Sequence, residues 1–383
     1  MYMIKKYKFQ ILSISIITAL LIFYFVSPQY VRKALIHQKA DIDDYTIFEN
    51  RTVEAGTYQP WAIADDFNKN EISEKHLSEF EKLKTIAFLV IQNKKIKYEK
   101  YWGNYDSDAI SNSFSMSKSI ISMLIGIAID EGKIKSVNQT VEDFIPEYNT
   151  ENNKNLTIKD LLTMSSGLDW CESYGNLYSE TSKAYYGNNL KNLVCNLQVI
   201  EETGKQFKYL SGNTQLLSFI LKNATGKNIS EYTSEKIWKK IGAKNDALWS
   251  LDKKDGDEKS YCCFNSNARD FARIGQLILN KGKWGETQIV PEAYLEEALK
   301  PAEYLKDNSG ESVDFYGYQF WIINYKNLKI NYARGILGQY IMIIPEKNAV
   351  IVRLGEKRVK KKKNHHPVDA YLYIDAALEI LEN

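Results

Sequence analysis

One segment constrains the fold of this 383-residue chain more than any other, because Ser115 to Glu131 has the pattern of a helix with no polar face. Its apolar residues are Ile120, Ile121, Met123, Leu124, Ile125, Ile127 and Ile129. Gly132 follows them as a helix stop signal. A helix that is apolar all round must be covered on every side, so the chain has to surround it with other elements. A hydrophobic content of 44 % is ample for such a core.

Strand patterns lie on both sides of this helix in the sequence. Before it, the apolar run from Thr85, a turn at residues 93–95 and an alternating run to Trp102 predict a β-hairpin. After it come four further strand patterns, Tyr316 to Ile323, Lys329 to Ala333, Gln339 to Ile344 and Ala349 to Leu354, and a helix from about Val368 to Leu381. Helical patterns fill the middle. We therefore expect an α+β fold with sheet parts at about 82–139 and 306–383 and a helical insertion at about 140–305.

The N-terminus predicts a membrane segment. Residues 9–26 carry no charge and follow a tail, residues 1–8, that holds three lysines. A cleaved signal peptide is the alternative, although no good small-residue cleavage site follows the apolar run. We expect an uncleaved anchor that places the rest of the chain outside the cytoplasm, with residues 27–81 as an extended linker and the domain at 82–383.

Charge is distributed in patches. The net charge is +2, but residues 1–40 hold six basic residues and no acid, and residues 357–363 hold six more, so the remainder is acidic. This asymmetry argues against a nucleic-acid binder. The run at 357–363 is expected to be a solvated loop, with contact to anionic lipid as the alternative reading.

The histidines and cysteines exclude several chemistries. Of the four histidines, only His76 lies away from the basic patches, which disfavours a multi-histidine zinc site and a Ser-His-Asp triad. The sequence also lacks a C-x-x-C pair and nucleotide-binding signatures, so we expect no metal and no cofactor. Cys262 and Cys263 are expected to be reduced and buried, with a disulfide between them as the alternative. The pairing of Cys171 and Cys195 stays open.

The candidate chemistry begins at the start of the apolar helix, where Ser115 and Lys118 form an S-x-x-K pattern. Residues i and i+3 share a helix face, so the amine can lie beside the hydroxyl. Burial lowers the pKa of an amine, which lets it act as the base that activates a serine. The same spacing recurs at Ser250 and Lys253, but in a charged loop rather than at the start of a buried helix.

Two further motifs are consistent with the same chemistry. Tyr209 precedes another apolar helical segment and is positioned to relay a proton, or simply to pack against that helix. Residues 333–339 form a strand interrupted by glycines, which is typical of a close approach to a ligand or of a bulge. There the N–H of Ile336 could pair with that of Ser115 as an oxyanion hole.

These ordered motifs resemble the serine β-lactamase and penicillin-binding-protein superfamily, and more closely its class C-like branch, which includes the 6-aminohexanoate-dimer hydrolase. The segments that carry the resemblance are SFSMSKSIISMLIGIAIDEGKI, LTIKDLLTMSSGLDW, FKYLSGNTQLL, NARDFARIGQLILNKGKWGETQIVPEAYL, YGYQFWI and RGILGQYIMIIPEKNAVIVRLG. The resemblance implies a β-lactamase/transpeptidase-like fold, with an antiparallel sheet flanked by helices. It also implies Ser115 as nucleophile, Lys118 as base, Tyr209 as relay or acid, and the N–H groups of Ser115 and Ile336 as oxyanion donors.

Two departures bear on the substrate. Ala333 stands where the family commonly has a Lys or His that helps bind a substrate carboxylate, and Ser211 stands where it commonly has Asn. Both disfavour a β-lactamase or a peptidoglycan carboxypeptidase and favour a hydrolase of another small or peptide-like amide or ester. The resemblance further implies substrate contacts from a group of five residues, namely Trp170, Tyr174, Asn213, Gly335 and Gln339. A non-catalytic binding protein of the cell envelope on the same scaffold remains the alternative of another class.

Overall fold

The computed structural model describes residues 2–381, and twelve α-helices and fifteen strands are assigned within that range. The helices are α1 Tyr2–Val26, α2 Gln29–His37, α3 Glu74–Lys82, α4 Ser117–Asp130, α5 Ile158–Leu162, α6 Glu180–Tyr186, α7 Leu190–Cys195, α8 Ser211–Thr225, α9 Ile229–Thr233, α10 Ala268–Leu279, α11 Glu292–Ala298 and α12 Val368–Leu381. The strands are β1 Asn50–Val53, β2 Ala62–Ile63, β3 Thr85–Gln92, β4 Lys95–Tyr101, β5 Ser111–Asn112, β6 Ala247–Ser250, β7 Phe264–Ser266, β8 Lys283–Trp284, β9 Thr287–Gln288, β10 Trp321–Tyr325, β11 Leu328–Arg334, β12 Tyr340–Ile344, β13 Ala349–Gly355, β14 Lys362–Lys363 and β15 His366–Pro367. Residues 1, 382 and 383, which belong to the predicted tail and domain, lie outside the described residues.

A seven-stranded sheet joins the two ends of the sequence. Its strand order is β10-β11-β12-β13-β3-β4-β2, and all neighbours are antiparallel except β2 and β4. Strand β13 pairs with β3 from Ala349 opposite Gln92 to Gly355 opposite Thr85, which closes the sheet between the C-terminal and N-terminal segments. The predicted hairpin is confirmed as β3 and β4. The first predicted C-terminal strand begins later than expected, at Trp321, because the residues from Tyr316 to Phe320 form a turn.

Side-chain alternation along β3 divides the core between two faces of this sheet. Leu89 and Ile91 belong to the core on the side of α4 and α10, while Phe88 and Val90 belong to the core formed with α3 and α12. Successive side chains of a strand point to opposite faces, so a strand buried on both sides reads as a continuous apolar run. Helix α4, the predicted apolar helix, is buried along nearly its whole length.

The middle of the chain is not purely helical, which corrects the prediction for 140–305. It contributes β6 and β7 to a second, four-stranded antiparallel sheet of order β1-β6-β7-β5, and its helix α10 packs against β13 and β12 of the large sheet. Gly275 of α10 lies so close to Val350 that an added Cβ would be 2.4 Å from its Cγ1. These strands were missed because they are two to four residues long and bury polar side chains, such as Asn265, instead of alternating.

The predicted extended linker at 27–81 is wrong, because this segment is packed into the body. Strand β1 pairs with β6, strand β2 pairs with β4, and Phe80 of α3 is fully buried. Helix α2 is packed against α6, with Val31 and Ala34 buried. The apolar residues that pack this segment against the body are spaced too widely to form a periodic pattern. The segment was therefore predicted to be irregular from its composition.

Helix α1 is long and apolar enough to cross a membrane. The candidate span covers Lys6–Val26, 21 residues with a mean hydropathy of 2.3, and none of it is buried against the body. Length and composition of this kind are shared by membrane anchors and by signal sequences.

Candidate active site

Ser115 lies in a 3₁₀ turn, Phe114–Met116, that leads directly into α4. The turn is held by two hydrogen bonds, from the Phe114 N–H to Asn112 Oδ1 at 2.8 Å and from the Ser113 N–H to the Phe264 carbonyl at 2.8 Å. Phe114 adopts a left-handed φ of 44°, which is rare for a bulky residue and typical of constrained functional turns. The result is a fixed position for the Ser115 hydroxyl at the end of a buried helix.

Lys118 lies one helical turn further on, with only 1 % of its surface exposed. Its Nζ donates to Ser115 Oγ at 3.3 Å, to Ser211 Oγ at 3.2 Å and to the Tyr261 carbonyl at 2.6 Å. Burial lowers the pKa of this amine to about 7, against a smaller raising effect from the Glu172 charge. Near neutral pH a large fraction of Lys118 is therefore the free amine, the form that can accept a proton from serine.

The loop that presents the Tyr261 carbonyl contains a disulfide between Cys262 and Cys263. This corrects the expectation of two reduced cysteines, since the two sulfur atoms of these neighbouring residues are bonded. The Trp249 indole N–H donates to the Cys262 carbonyl at 3.0 Å, which fixes the loop to β6. Cys171 and Cys195 are free thiols in the described structure.

Tyr209 lies close to both Ser115 and Lys118. Its ring centroid is 5.4 Å from Lys118 Nζ, and its hydroxyl is hydrogen-bonded with Ser115. Burial raises the pKa of Tyr209, whereas the Ser115 hydrogen bond and the charges of Arg334 and Arg358 oppose that shift. Tyr209 is therefore the neutral phenol, which can donate a proton, and Lys118 is the group that can accept one.

Ser211 and Glu172 form a hydrogen-bonded chain that leads to Lys118. Ser211 Oγ accepts from Lys118 and donates to Glu172 Oε1 at 2.8 Å, while the Ser211 N–H donates to Glu172 Oε2 at 2.7 Å. The same carboxylate accepts from the Trp170 indole at 2.8 Å and from the Tyr174 hydroxyl at 2.6 Å. Sequence reasoning missed Glu172, although it stands between two predicted substrate contacts, because its role depends on a partner 39 residues away.

Gly335 and Ile336 approach the serine turn from the end of β11. An added Cβ on Gly335 would lie 2.3 Å from the Ser113 carbonyl oxygen, so only glycine permits this approach. Within the described chain, neither the Ser115 N–H nor the Ile336 N–H donates to another group. Two free donors on facing segments are the arrangement that stabilises an oxyanion.

These groups surround a cavity of about 460 Å³. Of the predicted site residues, Ser115, Tyr174, Tyr209, Gly335 and Ile336 line it, whereas Lys118 lies beneath Ser115. Lining residues that were not predicted include Glu172, Trp321, Arg334, Arg358, Lys362 and His365.

Three predicted substrate contacts lie behind the cavity wall, in correction of the prediction. Trp170 is 3 % exposed and binds Glu172 through its indole. Asn213 is fully buried and accepts from the Ser166 hydroxyl at 2.7 Å. Gln339 is also fully buried, and its amide bonds both backbone groups of Gly355. Each of the three holds a segment next to the site in place. The sequence motif alone therefore did not distinguish a residue that supports the site from one that contacts the substrate.

A serine with a buried lysine at i+3, a phenol nearby and two backbone N–H donors is the set of groups that a serine hydrolase with an amine base requires. The chain belongs to the Beta-lactamase family, whose family model matches residues 74–373. The α+β fold is accordingly of the β-lactamase/transpeptidase type, as the sequence motifs implied.

Individual relatives agree with this assignment. The 6-aminohexanoate-dimer hydrolase of Paenarthrobacter ureafaciens is 26 % identical over 309 residues, which is 76 % of this chain and 78 % of that protein. A Bacillus anthracis structure provisionally named a 6-aminohexanoate-dimer hydrolase superposes with a TM-score of 0.76 at 23 % identity, over 88 % of this chain and 93 % of that one. A family VIII carboxylesterase gives a TM-score of 0.64 at 16 % identity, over 84 % and 99 %. The two structural likenesses concern the fold alone.

The link between Glu172 and Lys118 predicts a shift in pH dependence. Activity that needs neutral Lys118 should rise as pH increases through about 7. Glu172 raises the pKa of Lys118, so Glu172→Gln should lower that pKa and move the rising limb of kcat/KM to lower pH. Tyr174→Phe is the matched control, because it removes one hydrogen bond of the carboxylate and no charge. A limb that stays in place or moves to higher pH in Glu172→Gln would contradict the assignment.

Proposed function

We propose that this protein hydrolyses an amide or ester bond through an acyl-enzyme on Ser115. The observation that carries the proposal is the buried Lys118 amine, with its pKa lowered to about 7, at 3.3 Å from Ser115 Oγ. A serine hydroxyl is a poor nucleophile until a base takes its proton, and a buried neutral amine is such a base.

Acylation follows from the positions of these groups. Ser115 Oγ attacks the substrate carbonyl carbon while its proton passes to Lys118 Nζ, and the carbonyl electron pair becomes an oxyanion that accepts from the Ser115 and Ile336 N–H groups. The oxyanion then collapses and the bond to the leaving amine or alcohol breaks. Tyr209 donates a proton to the leaving group, and a cavity water then carries the proton held by Lys118 to the Tyr209 phenolate.

Deacylation needs only water and the same groups. A water molecule in the cavity attacks the ester carbonyl, its proton passes to Lys118, and Lys118 returns that proton to Ser115 Oγ as the ester bond breaks. The carboxylic acid product is released and both side chains regain their starting protonation. No metal or cofactor takes part in these steps.

The substrate class is proposed as a small or peptide-like amide or ester outside the β-lactams. Ala333 supplies no cation where the superfamily commonly has one, and the relative from Paenarthrobacter is named a 6-aminohexanoate-dimer hydrolase. Assignment to the class C-like branch is part of the same proposal. A β-lactamase or peptidoglycan carboxypeptidase is the second candidate, and failure of a fluorescent penicillin to acylate Ser115 would remove it.

We also propose that α1 anchors the protein as a single membrane span and that the hydrolase lies outside the cytoplasm. The 21-residue apolar span and the lysines before it support an anchor. The disulfide between Cys262 and Cys263 supports an oxidising compartment. The domain boundary proposed at 82 moves toward the N-terminus, since α2 and β1 pack into the same body.

The proposal predicts covalent labelling of one serine. A fluorophosphonate probe should react with the native protein, and peptide mass mapping should place the adduct on Ser115. Ser250, the serine of the second S-x-x-K pattern, is the internal control, because it is buried, hydrogen-bonded to Asn50 and not among the residues that line the cavity. Absence of an adduct, or an adduct elsewhere, would favour the alternative of a non-catalytic envelope binding protein.

A further inference from the structure

Residues 260–264, which lead into β7, bind the start of α4 through their backbone. Three of their carbonyl groups accept hydrogen bonds from residues around Ser115, namely Ser260 from the Ser117 hydroxyl at 2.9 Å, Tyr261 from Lys118 Nζ at 2.6 Å and Phe264 from the Ser113 N–H at 2.8 Å. This segment therefore holds both the base and the turn that carries the nucleophile. The spacing of its carbonyls fixes where Lys118 lies relative to Ser115.

The Tyr261 carbonyl is the closest hydrogen-bond partner of the Lys118 amine. Its oxygen is 2.6 Å from Nζ, whereas Ser211 Oγ is 3.2 Å and Ser115 Oγ 3.3 Å from it. A lysine amine lies at the end of a flexible four-carbon stem, so its position depends on the groups that it binds. A shift of the Tyr261 carbonyl would therefore carry the amine away from the serine that it activates.

The disulfide between Cys262 and Cys263 lies in the middle of this segment, between the carbonyls that bind Lys118 and Ser113. Because the two cysteines are neighbours, their bond closes a small ring that contains the peptide group between them and restricts the backbone around it. Cys263 has a φ of 67°, in the left-handed region that residues other than glycine rarely adopt. The ring thus holds the backbone in a conformation that two separate cysteine residues would not favour.

Neither cysteine of the disulfide reaches the substrate cavity. Cys262 is 4 % exposed, Cys263 is fully buried, and neither lines the cavity. The Cys262 carbonyl accepts from the Trp249 indole at 3.0 Å and the Cys263 carbonyl from the Ser250 N–H at 3.0 Å, which attaches the segment to the end of β6. The disulfide can therefore influence the reaction only through the backbone that it holds.

We propose that the disulfide positions the base of the reaction, because it holds the Tyr261 carbonyl where Lys118 Nζ stays within hydrogen-bond reach of Ser115 Oγ. The inference rests on the proposed hydrolase function and assigns Cys262 and Cys263 as positioning residues that act through Tyr261. The rate then depends on the oxidation state of the pair. A dithiol that reduces the pair supplies two electrons and two protons, leaves two thiols and itself becomes a disulfide.

The control for the test is a variant without free thiols, Cys171→Ser with Cys195→Ala, in which the disulfide cysteines are the only ones left. It should keep the native kcat and KM, because neither Cys171 nor Cys195 lines the cavity. Titration with a thiol reagent in denaturant should detect no thiol before reduction and both disulfide cysteines after it. Two thiols before reduction would overturn the inference.

Adding Cys262→Ala and Cys263→Ala to the control variant should reduce kcat by about 10- to 100-fold, the scale expected when a reacting group is misplaced by about 1 Å. KM should change little, since the cavity wall is untouched. The rising limb of kcat/KM should move to lower pH, because loss of the carbonyl hydrogen bond destabilises the ammonium form and lowers the pKa of Lys118. A merely structural role would reduce the folded fraction and leave this limb in place. An unmoved limb would overturn the inference, whatever the loss in kcat.

The substitution Cys263→Gly separates the backbone conformation from the sulfur chemistry. Glycine adopts a φ of 67° without steric cost, so Cys262→Ala with Cys263→Gly should recover part of the kcat that the double alanine variant loses. A glycine variant no more active than the alanine variant would contradict the inference.

Reduction of the control variant gives the same comparison if the double alanine variant does not fold. Treatment with dithiothreitol, continued until titration detects both thiols, should lower kcat and move the rising limb to lower pH. Reoxidation with oxidised glutathione should reverse both changes. Fully reduced protein with the kcat of the oxidised form would overturn the inference.

Nuclear magnetic resonance of Lys118 separates this inference from the hydrolase proposal, because it needs no turnover. With isotope-labelled lysine, the Lys118 Cε signal, assigned by its loss in Lys118→Met, reports the pKa of the amine directly. That pKa should be lower in the double alanine variant than in the control variant. If no ester or amide is hydrolysed but the pKa responds to the disulfide, the hydrolase proposal fails and the positioning of Lys118 stands. If hydrolysis is observed and the pKa does not respond, only the positioning inference fails.

Discussion

Replacing Lys118 with methionine is expected to reduce kcat/KM by at least about 10³-fold, because serine loses the base that activates it. Methionine has a similar length and no charge, so it can occupy the buried space that the Lys118 side chain fills beneath Ser115. The rising limb of activity near pH 7 should disappear with the amine. Hydrolysis of a simple ester, followed over pH 5 to about 9, measures both effects.

Lys259 provides a matched control for this substitution. Burial lowers its pKa to about 7 as well, and its Nζ donates to the Leu251 carbonyl at 2.6 Å, away from the cavity. Lys259→Met therefore removes an equally buried amine without touching Ser115. A loss of similar size in both variants, or a loss of less than about 10-fold in Lys118→Met, would contradict the role of Lys118 as base.

Gly335→Ala is expected to lower kcat/KM by about 10²- to 10³-fold, the range found when one oxyanion donor is removed. The added methyl would lie 2.3 Å from the Ser113 carbonyl, so the end of β11 must move away from the serine turn. The N–H of Ile336, the next residue, would move with it. Steady-state kinetics measure the loss, and circular dichroism checks that the variant is folded.

Gly175→Ala is the control for the glycine substitution. Gly175 lies beside Tyr174, has no atom within 4 Å of an added Cβ and does not require a left-handed φ. Its substitution should leave kcat/KM within about two-fold of the native value, as is usual for an unconstrained surface position. If Gly335→Ala retains most of the native activity, the close approach of β11 does not set the oxyanion geometry.

The large sheet and the helix α4 were predictable because their signal is local. A strand or helix that is buried on all sides has a largely apolar sequence, and the sequences of β3, β13 and α4 are of this kind. The second sheet was not predictable, since its strands are short and bury polar residues such as Asn112 and Asn265. Their stability comes from pairing with distant segments, which leaves no periodicity in the sequence.

The candidate site shows the same division. Ser115 and Lys118 are three residues apart on one helix, so their contact follows from helix geometry. Glu172, Arg358 and Lys362 reach the cavity only through the folding of separate loops, and nothing in their spacing indicates it. The run of basic residues at 357–363 has the composition of a solvated loop. Its attachment to Arg353 and Asp369 is what places part of the run beside the cavity.

The packing of α2 against α6 also sets how far the hydrolase can reach. Helix α1 ends at Val26 and α2 begins at Gln29, so only Ser27 and Pro28 separate the proposed anchor from the folded body. Two residues span about 7 Å when fully extended. On the proposed anchor, so short a tether would hold the hydrolase at the membrane surface, where it would meet only substrates that come to that surface. Lengthening the segment between Val26 and Gln29 would then increase the distance from the membrane at which the hydrolase can act, without altering its chemistry.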